Sequence, residues 1–321
     1  MFLTLLFKFI FFLYSKNYII HFYNNLGSQS VGKLLRSIPS SNIIFHERGQ
    51  AWNAKKKDTK IYKSNAAKAK IIIANSIASK TILIKRFGID KNKIEVVYNG
   101  FLSKDMKLIS NDKSRYSKNF SIGYIGRLDT PKGVNVFINS AKKLPQYDFF
   151  IAGQGVLENI LRNLSKNHKN INFLGSIKKP MQFISQMDLM IVPSIREPLG
   201  NVIIESGFCK KAVIASNVDG IPEIIQDGVS GLLLNPLKKI SLKDIPSDAV
   251  PIPEFVINPE TQELQEPKEI DCAELCKSIV RLASNDYERR LYGKNLYKSV
   301  RNKFNIENYY ENFERIYKKF Y

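Results

Sequence analysis

The sequence predicts an α/β protein of about two domains, each built on a parallel sheet. Three observations carry this. Short apolar runs alternate with helical segments along most of the chain, the rhythm of a parallel sheet with covered faces. The length of 321 residues fits about two domains, each able to bury its own core. The 44% hydrophobic and 24% charged content is ordinary for a globular chain. That composition excludes a disordered chain, a collagen and a multi-span membrane protein. Three cysteines with no C-x-x-C pair exclude a disulfide scaffold and a Cys-rich zinc site.

Taken in order, Met1–Tyr14 is apolar nearly all round, interrupted by Lys8 and too short for a confident span. It lacks a basic leader and a small-x-small cleavage site, so a signal peptide is not expected. Two readings stay open for it: a helix buried inside a domain, or one lying in a membrane interface with Lys8 snorkelling. Strands are expected at Tyr18–His21, Ile43–His46, Ile71–Ala74 and Ile94–Val97, with helical segments at Ile61–Lys70 and Ala78–Phe87. The polar stretch Ser110–Asn119 reads as a linker. A second unit then runs strand–helix–strand. Its strands are Ser121–Ile125, Asp148–Ala152, Ile171–Leu174, Leu189–Val192, Ala212–Ser216 and Leu232–Leu234. Its helices are Val134–Leu144, Leu157–His168, Met181–Met187 and Gly200–Cys209. Ligands of such a doubly wound sheet bind outside the carboxyl ends of the strands. Pro236–Asp271 breaks the rhythm with five prolines after Pro236 and an acidic balance, and Phe255–Ile257 with Leu264–Gln265 suggests a small hairpin on the surface at the rim. Helices resume at Cys272–Ala283, Glu288–Lys303 and Ile306–Phe320. Cys272 and Cys276, one helical turn apart, read as a reduced, packed pair. The domain reading is 1–115, then 116–303 with an inserted hairpin near 237–270, then a helix over 304–321 packing back on the first domain.

The formal charge is +20, from 49 Lys and Arg against 29 Asp and Glu. Codon bias offers one explanation, since 37 of the 49 are Lys in a sequence rich in Asn, Ile, Phe and Tyr. Yet residues 1–120 carry a net +16 and residues 121–321 only +4, which points to a basic face on the first part. The densest run is Lys55-Lys-Lys57, Lys60, Lys63, Lys68 and Lys70. No helix-turn-helix, zinc-finger spacing or aromatic RNA-binding segment accompanies it, so an anionic membrane or glycolipid is the expected partner and nucleic acid is not.

Two motifs could carry chemistry. Gly126-Arg127-Leu-Asp-Thr-Pro-Lys132-Gly133 links a strand to a helix. Glycine permits a tight turn beside a ligand, and the helix start offers free N–H groups and partial positive charge that suit a phosphate. It lacks the G-x-x-x-x-G-K-[ST] form, so a nucleoside triphosphatase is a poor reading. Glu197-Pro-Leu-Gly200-Asn-Val-Ile-Ile-Glu205 places one carboxylate before a helix and another about a turn and a half in, with Gly200 and Asn201 at its start. Alone, these Glu residues read equally as caps and solvated charge. Together, basic groups for a diphosphate and carboxylates for hydroxyls, both at carboxyl ends of strands, make a site for a nucleotide sugar.

These residues resemble those of the retaining glycosyltransferases of family 4, which have the GT-B fold. The resemblance runs through Gly126-Arg127…Lys132-Gly133, Ile151-Ala-Gly-Gln-Gly155, Phe173-Leu-Gly175, Pro193-Ser194, Glu197-x7-Glu205 and Asp219-Gly-Ile-Pro-Glu223…Asp227-Gly-x-x-Gly-Leu232. It also covers Ile43–Asn53, and Ala74-Asn-Ser76 through Asn99-Gly100. Bacterial lipopolysaccharide and surface polysaccharide transferases are the most similar subset. The resemblance implies two Rossmann-like doubly wound domains, the first incomplete. It implies that Arg127 and Lys132 neutralise the donor diphosphate, that Glu205 holds ribose hydroxyls, and that Glu197, with amides of Leu199, Gly200 and Asn201, serves the donor sugar. Gly126, Gly153, Gly155 and Gly175 match turns near the nucleotide, and His46 a group facing the transferred sugar. A lipid-linked or saccharide acceptor, front-face attack with retention, and a cytoplasmic protein peripheral to the inner face of the cytoplasmic membrane are implied too. With no Asp-x-Asp pair, no metal is expected and no cofactor beyond the nucleotide-sugar donor. About 45 residues precede His46, fewer than the family places there. A shortened product, a misread start, a minimal enzyme or a non-catalytic binding remnant would each fit that length.

Overall fold

The computed structural model describes residues 18–37, 42–102 and 116–321. The expected Met1–Tyr14 helix and most of the expected linker lie outside the described residues. The first unit is a parallel sheet of β1 (Ile20–Tyr23), β2 (Ile43–Glu47), β3 (Ile71–Ala74) and β4 (Ile94–Val96), ordered as in the chain. β2 and β3 are buried along their whole length, which explains their unbroken apolar character. Among the described residues, β1 is an edge strand and the order runs in one direction with no reversal. Three helices connect these strands: α1 (Gln29–Arg36), α2 (Thr59–Lys68) and α3 (Ile77–Phe87). α1 was not expected; it is eight residues long, buries only Leu35, and starts where Ser28 Oγ accepts the Val31 N–H. Such a short amphipathic stripe leaves little periodicity to read.

The second unit is a six-stranded parallel sheet of β5 (Ser121–Ile125), β6 (Asp148–Ala152), β7 (Ile171–Gly175), β8 (Leu189–Val192), β9 (Ala212–Ser216) and β10 (Leu232–Leu234). Their order is β10-β9-β8-β5-β6-β7. The order reverses between β5 and β8, so the loops leaving those two strands face each other across the switch-point crevice. The crossover helices α4 (Val134–Lys143), α5 (Glu158–Leu164), α6 (Pro180–Gln186) and α7 (Asn201–Phe208) cover the sheet with α8 (Cys272–Ser284) and α9 (Asp286–Lys303). Apolar layers fill both faces, one built around Phe137, Phe149 and Leu275, the other around Phe183, Ile203 and Leu296. Cys272 and Cys276 are free thiols beside Ser140.

Two late segments return to the first unit. α10 (Ile306–Tyr317) lays Phe313 and Ile316 on Ile44, Ile71, Ile73 and Val97. The inserted segment forms a two-stranded antiparallel hairpin, β11 (Val256–Ile257) with β12 (Leu264–Gln265). The expectation of a surface hairpin is corrected here. Val256 and Ile257 are both fully buried, Val256 in the second unit's core and Ile257 in the first unit's. The hairpin sits on α3, where Lys85 pairs with Glu263, Arg86 with Glu254 at 2.8 Å, and Thr81 Oγ1 donates to Gln262 Oε1 at 2.8 Å. Its prolines and acids resemble a rim loop locally, and only the tertiary fold reveals the wedge.

Candidate active site

The loop after β5 turns through Gly126–Asp129, makes one 3-10 turn at Thr130–Lys132, and enters α4 at Gly133. Gly133 has φ +63°, and a Cβ there would stand 2.0 Å from the Pro193 carbonyl oxygen, so only glycine lets this loop lie against the loop after β8. Gly153 does the same for a third loop: at φ +140° its missing Cβ leaves room for the Gly126 carbonyl, 1.8 Å from where it would lie. Gly153 and Gly155 were expected where backbone approaches a nucleotide. The structure packs both against the Gly126 and Leu128 carbonyls, so their smallness serves loop-on-loop contact. Gly175 ends β7 at φ +66° with open space beside it.

This packing brings Lys132 to Glu197. Lys132 Nζ donates to Glu197 Oε2 at 2.6 Å, and Ser194 Oγ donates to the same oxygen at 3.2 Å. Both charged side chains are mostly buried, 21% and 14% exposed, so removing either would leave the other as a poorly compensated charge. Gly200, at φ +109°, caps the start of α7, leaving the first amides of that helix facing the cleft. The cleft, of about 340 Å³, is lined by Lys132, Glu197 and Pro198–Val202 on one side. Asn24, Arg48, Asn75 and Asn99 of the first unit line the other. Arg48 donates to Asn99 Oδ1 at 3.3 Å, and Asn99 Nδ2 donates to Asn201 Oδ1 at 2.7 Å, joining the two walls.

Glu205 faces a neighbouring cavity of about 270 Å³, lined by Phe101 and by Lys178–Gln182 at the start of α6. Burial pushes its carboxyl up to about 7. Arg127 is 62% exposed at the rim, 3.9 Å from Asp129. Lys132, Glu197, Leu199, Gly200 and Asn201 are therefore assembled around one cleft, with Glu205 in an adjoining cavity.

His46 is not part of that assembly. Alternation along β2 puts it on the same face as Ile44, under α10, where it is 1% exposed between Tyr23 and Phe313. Among the described residues neither ring nitrogen has a hydrogen-bond partner. Burial, with the charge of Arg48 nearby, lowers its pKa to about 3, so the ring is neutral at pH 7. The first-unit residue that does reach the cleft is Arg48, beyond the strand end. Arg48, Asn24, Asn75 and Asn99 were not anticipated. The one available signal was that Arg48, Asn75 and Asn99 each follow the end of an expected strand.

A polar network also joins the units behind the cleft. Glu223 Oε1 and Oε2 accept the Ala78 and Ile77 amides at the start of α3, and Tyr98 donates to Oε2 at 2.8 Å. Buried Arg196 donates to Asn53 Oδ1 at 2.8 Å. Among the described residues no group of three His, Cys, Asp or Glu is placed to hold a metal ion, and no helix is long and apolar enough to cross a membrane.

Comparison with known proteins matches residues 119–244 to the family model described as glycosyl transferases group 1. Those residues are a glycosyl transferases group 1 domain. The chain is 26% identical over 271 residues to the capsular polysaccharide biosynthesis glycosyltransferase CapM of Staphylococcus aureus, a match over 81% of this chain and 59% of that protein. It is 27% identical over 172 residues to an N-acetylgalactosaminyltransferase of Campylobacter jejuni, over 52% of this chain and 47% of the other. That enzyme is named for a diphospho-undecaprenol-linked acceptor. The chain thus spans about three fifths of the length of the first relative and about half of the second. Among solved structures, Anabaena Alr3699/HepE in complex with UDP-glucose superposes with a TM-score of 0.69 at 20% identity, covering 93% of this chain and 78% of that one. The likeness shows the shared GT-B architecture of two Rossmann-like sheets. The matched span of the group 1 domain holds Lys132, Glu197 and Glu205 together.

Proposed function

We propose that this protein transfers a sugar, with retention, from a nucleoside-diphosphate donor to a saccharide or lipid-linked acceptor in the synthesis of a surface polysaccharide. The observation that carries the reading is the Lys132–Glu197 pair at the switch-point crevice, beside the capped start of α7 and opposite Arg48. Breaking the bond between sugar and diphosphate builds negative charge on the leaving group. Lys132, Arg48, Arg127 at the rim and the helix amides are fixed cationic and dipolar groups for that charge, present before the reaction begins. In the free protein Glu197 neutralises Lys132. A bound diphosphate takes over Lys132 and releases the Glu197 carboxylate to the sugar's hydroxyls. Glu205 takes the ribose hydroxyls in the adjoining cavity. Closure of the two walls excludes water and aligns the acceptor hydroxyl. The proposal involves no metal.

We further propose that the protein works at the inner face of the cytoplasmic membrane. Lys33 and Arg36 of α1 and Lys60, Lys63 and Lys68 of α2 are exposed on two helices packed together. Such a cluster draws the first unit to anionic lipid.

Calorimetric titration with UDP, GDP and ADP, followed by an assay of donor hydrolysis and transfer over a panel of nucleotide sugars, tests the reading. At least one diphosphate should bind, and Lys132→Ala should weaken it at least tenfold. No binding by the wild type would end the proposal. Binding without transfer or hydrolysis would leave a nucleotide-sugar-binding protein.

A further inference from the structure

Asp219 lies outside the cleft and is 2% exposed, at the turn after β9 with φ +48°. Among side-chain-bearing residues aspartate is one of the few that tolerate that conformation. Its contacts come from three separate parts of the chain. Oδ2 accepts the Glu197 amide at 2.9 Å. Oδ1 accepts the Ile257 amide of the wedged hairpin at 2.7 Å and the indole N–H of Trp52 in the first unit at 3.2 Å. The next residue completes the link, since the Gly220 amide donates to the Glu197 carbonyl at 3.1 Å. A Cβ on Gly220 would meet the Pro198 carbonyl at 2.2 Å, so the turn lies flush on the donor-site loop. Buried Arg196 supplies positive charge nearby.

We infer that Asp219 is a positioning residue for Glu197, and that through Trp52 and Ile257 it ties the setting of the Glu197 loop to the seating of the first unit and of the inserted hairpin. The inference rests on the reading that Glu197 serves the donor sugar. With all three donors in place, the Glu197 backbone is pinned and its carboxylate is aimed at the crevice. When the first unit shifts, the Trp52 bond is the first to lengthen, and the loop loosens. Donor binding through Lys132 and Glu205 needs none of these bonds, so loosening lowers turnover more than affinity.

Trp52 is the single tryptophan in the chain, so tryptophan emission, excited beyond the tyrosine band, reports the surroundings of this one indole. The test compares wild type with Asp219→Asn, which keeps the size but turns an amide N–H₂ toward an N–H donor, and with Trp52→Phe, which removes one donor and keeps the ring. Three measurements are made on the full chain: tryptophan emission, affinity for UDP, GDP or ADP, and steady-state transfer together with donor hydrolysis. In Asp219→Asn the emission should shift. Turnover should fall at least tenfold while donor KM and diphosphate affinity stay within about threefold, and hydrolysis should rise relative to transfer. Trp52→Phe should move turnover and the hydrolysis ratio in the same direction, by about threefold. A merely structural role would scale transfer and hydrolysis together with the folded fraction, and that outcome overturns the inference. Unchanged turnover in a folded Asp219→Asn protein overturns it too, as does an unchanged emission. If the wild type binds no diphosphate, the functional reading fails, and the emission of Asp219→Asn still decides whether Asp219 joins the units.

Discussion

The two units complete their cores in opposite ways. The second is filled by its own consecutive elements, with helices from 134–303 closing both faces of its sheet. The first borrows: Ile257 enters its core from the inserted hairpin, and Phe313 and Ile316 cover its outer face from α10. The cleft between them shows the same contrast. The second unit's wall is held by glycine turns that set loop on loop, whereas the first unit's wall is held by hydrogen bonds reaching across, from Asn99 to Asn201 and from Trp52 to Asp219. One wall is set mainly within its own unit, with the Trp52–Asp219 bond as its tie to the other; the other wall depends on assembly.

The sharpest test of this contrast is Lys132→Ala in the second unit's wall. It leaves Glu197 without its cation and, on the proposed function, the diphosphate without its main neutralising group. Transfer, read as kcat/KM, should fall at least about 100-fold, or about 3 kcal/mol. A loss under tenfold would mean that the other wall carries the charge.

Next in size is Glu205→Gln, where function and stability should part. Burial raises the carboxyl from 4.5 to about 7, so the folded protein prefers it neutral. The stability it contributes is present below pH 4.5 and is lost as pH rises through 7. The Gln variant should therefore match wild type at pH 4.5 and exceed it at pH 8, by on the order of 2 kcal/mol in denaturant unfolding, while donor affinity drops. Equal stability at both pH values would place Glu205 in water.

Arg48→Ala probes the assembled wall, and about a tenfold loss of kcat/KM is expected there (about 1.4 kcal/mol). No loss would leave catalysis to the second unit alone. The smallest effect is expected from Glu254→Ala and Glu263→Ala on the hairpin. Both carboxylates are more than half exposed, so each ion pair to α3 should be worth under about 1 kcal/mol in thermal unfolding. A larger loss would make charge, and not Val256 and Ile257, the hairpin's anchor.

How much of this was legible in the sequence divides along the same line. β3, β5, β6, β8, β9 and β10 fall at the residues the apolar runs mark, because a strand covered on both faces writes its own boundary. That Lys132, Glu197 and Gly200 would meet in one cleft was legible, because each sits on a short loop between a strand and a helix. His46 was misplaced because a strand-end histidine gives no sign of which face its side chain takes. The hairpin was misjudged because nothing local distinguishes a wedge from a rim loop. Arg48 and Asn99 become one wall only when two distant turns meet.

The borrowed core also has a cost in time. Ile257 follows Ile43 by roughly 210 residues, and Phe313 follows Ile44 by roughly 270. At ~5–20 residues per second of synthesis, the first sheet waits roughly 10 to 50 s for the pieces that cover it. During that interval Ile44, Ile71 and Ile73 lack their native lid, and a β-rich surface stands open beside the ribosome. The nascent half-protein is therefore the form most exposed to aggregation and most dependent on a holding chaperone, although the finished molecule shows no such surface there.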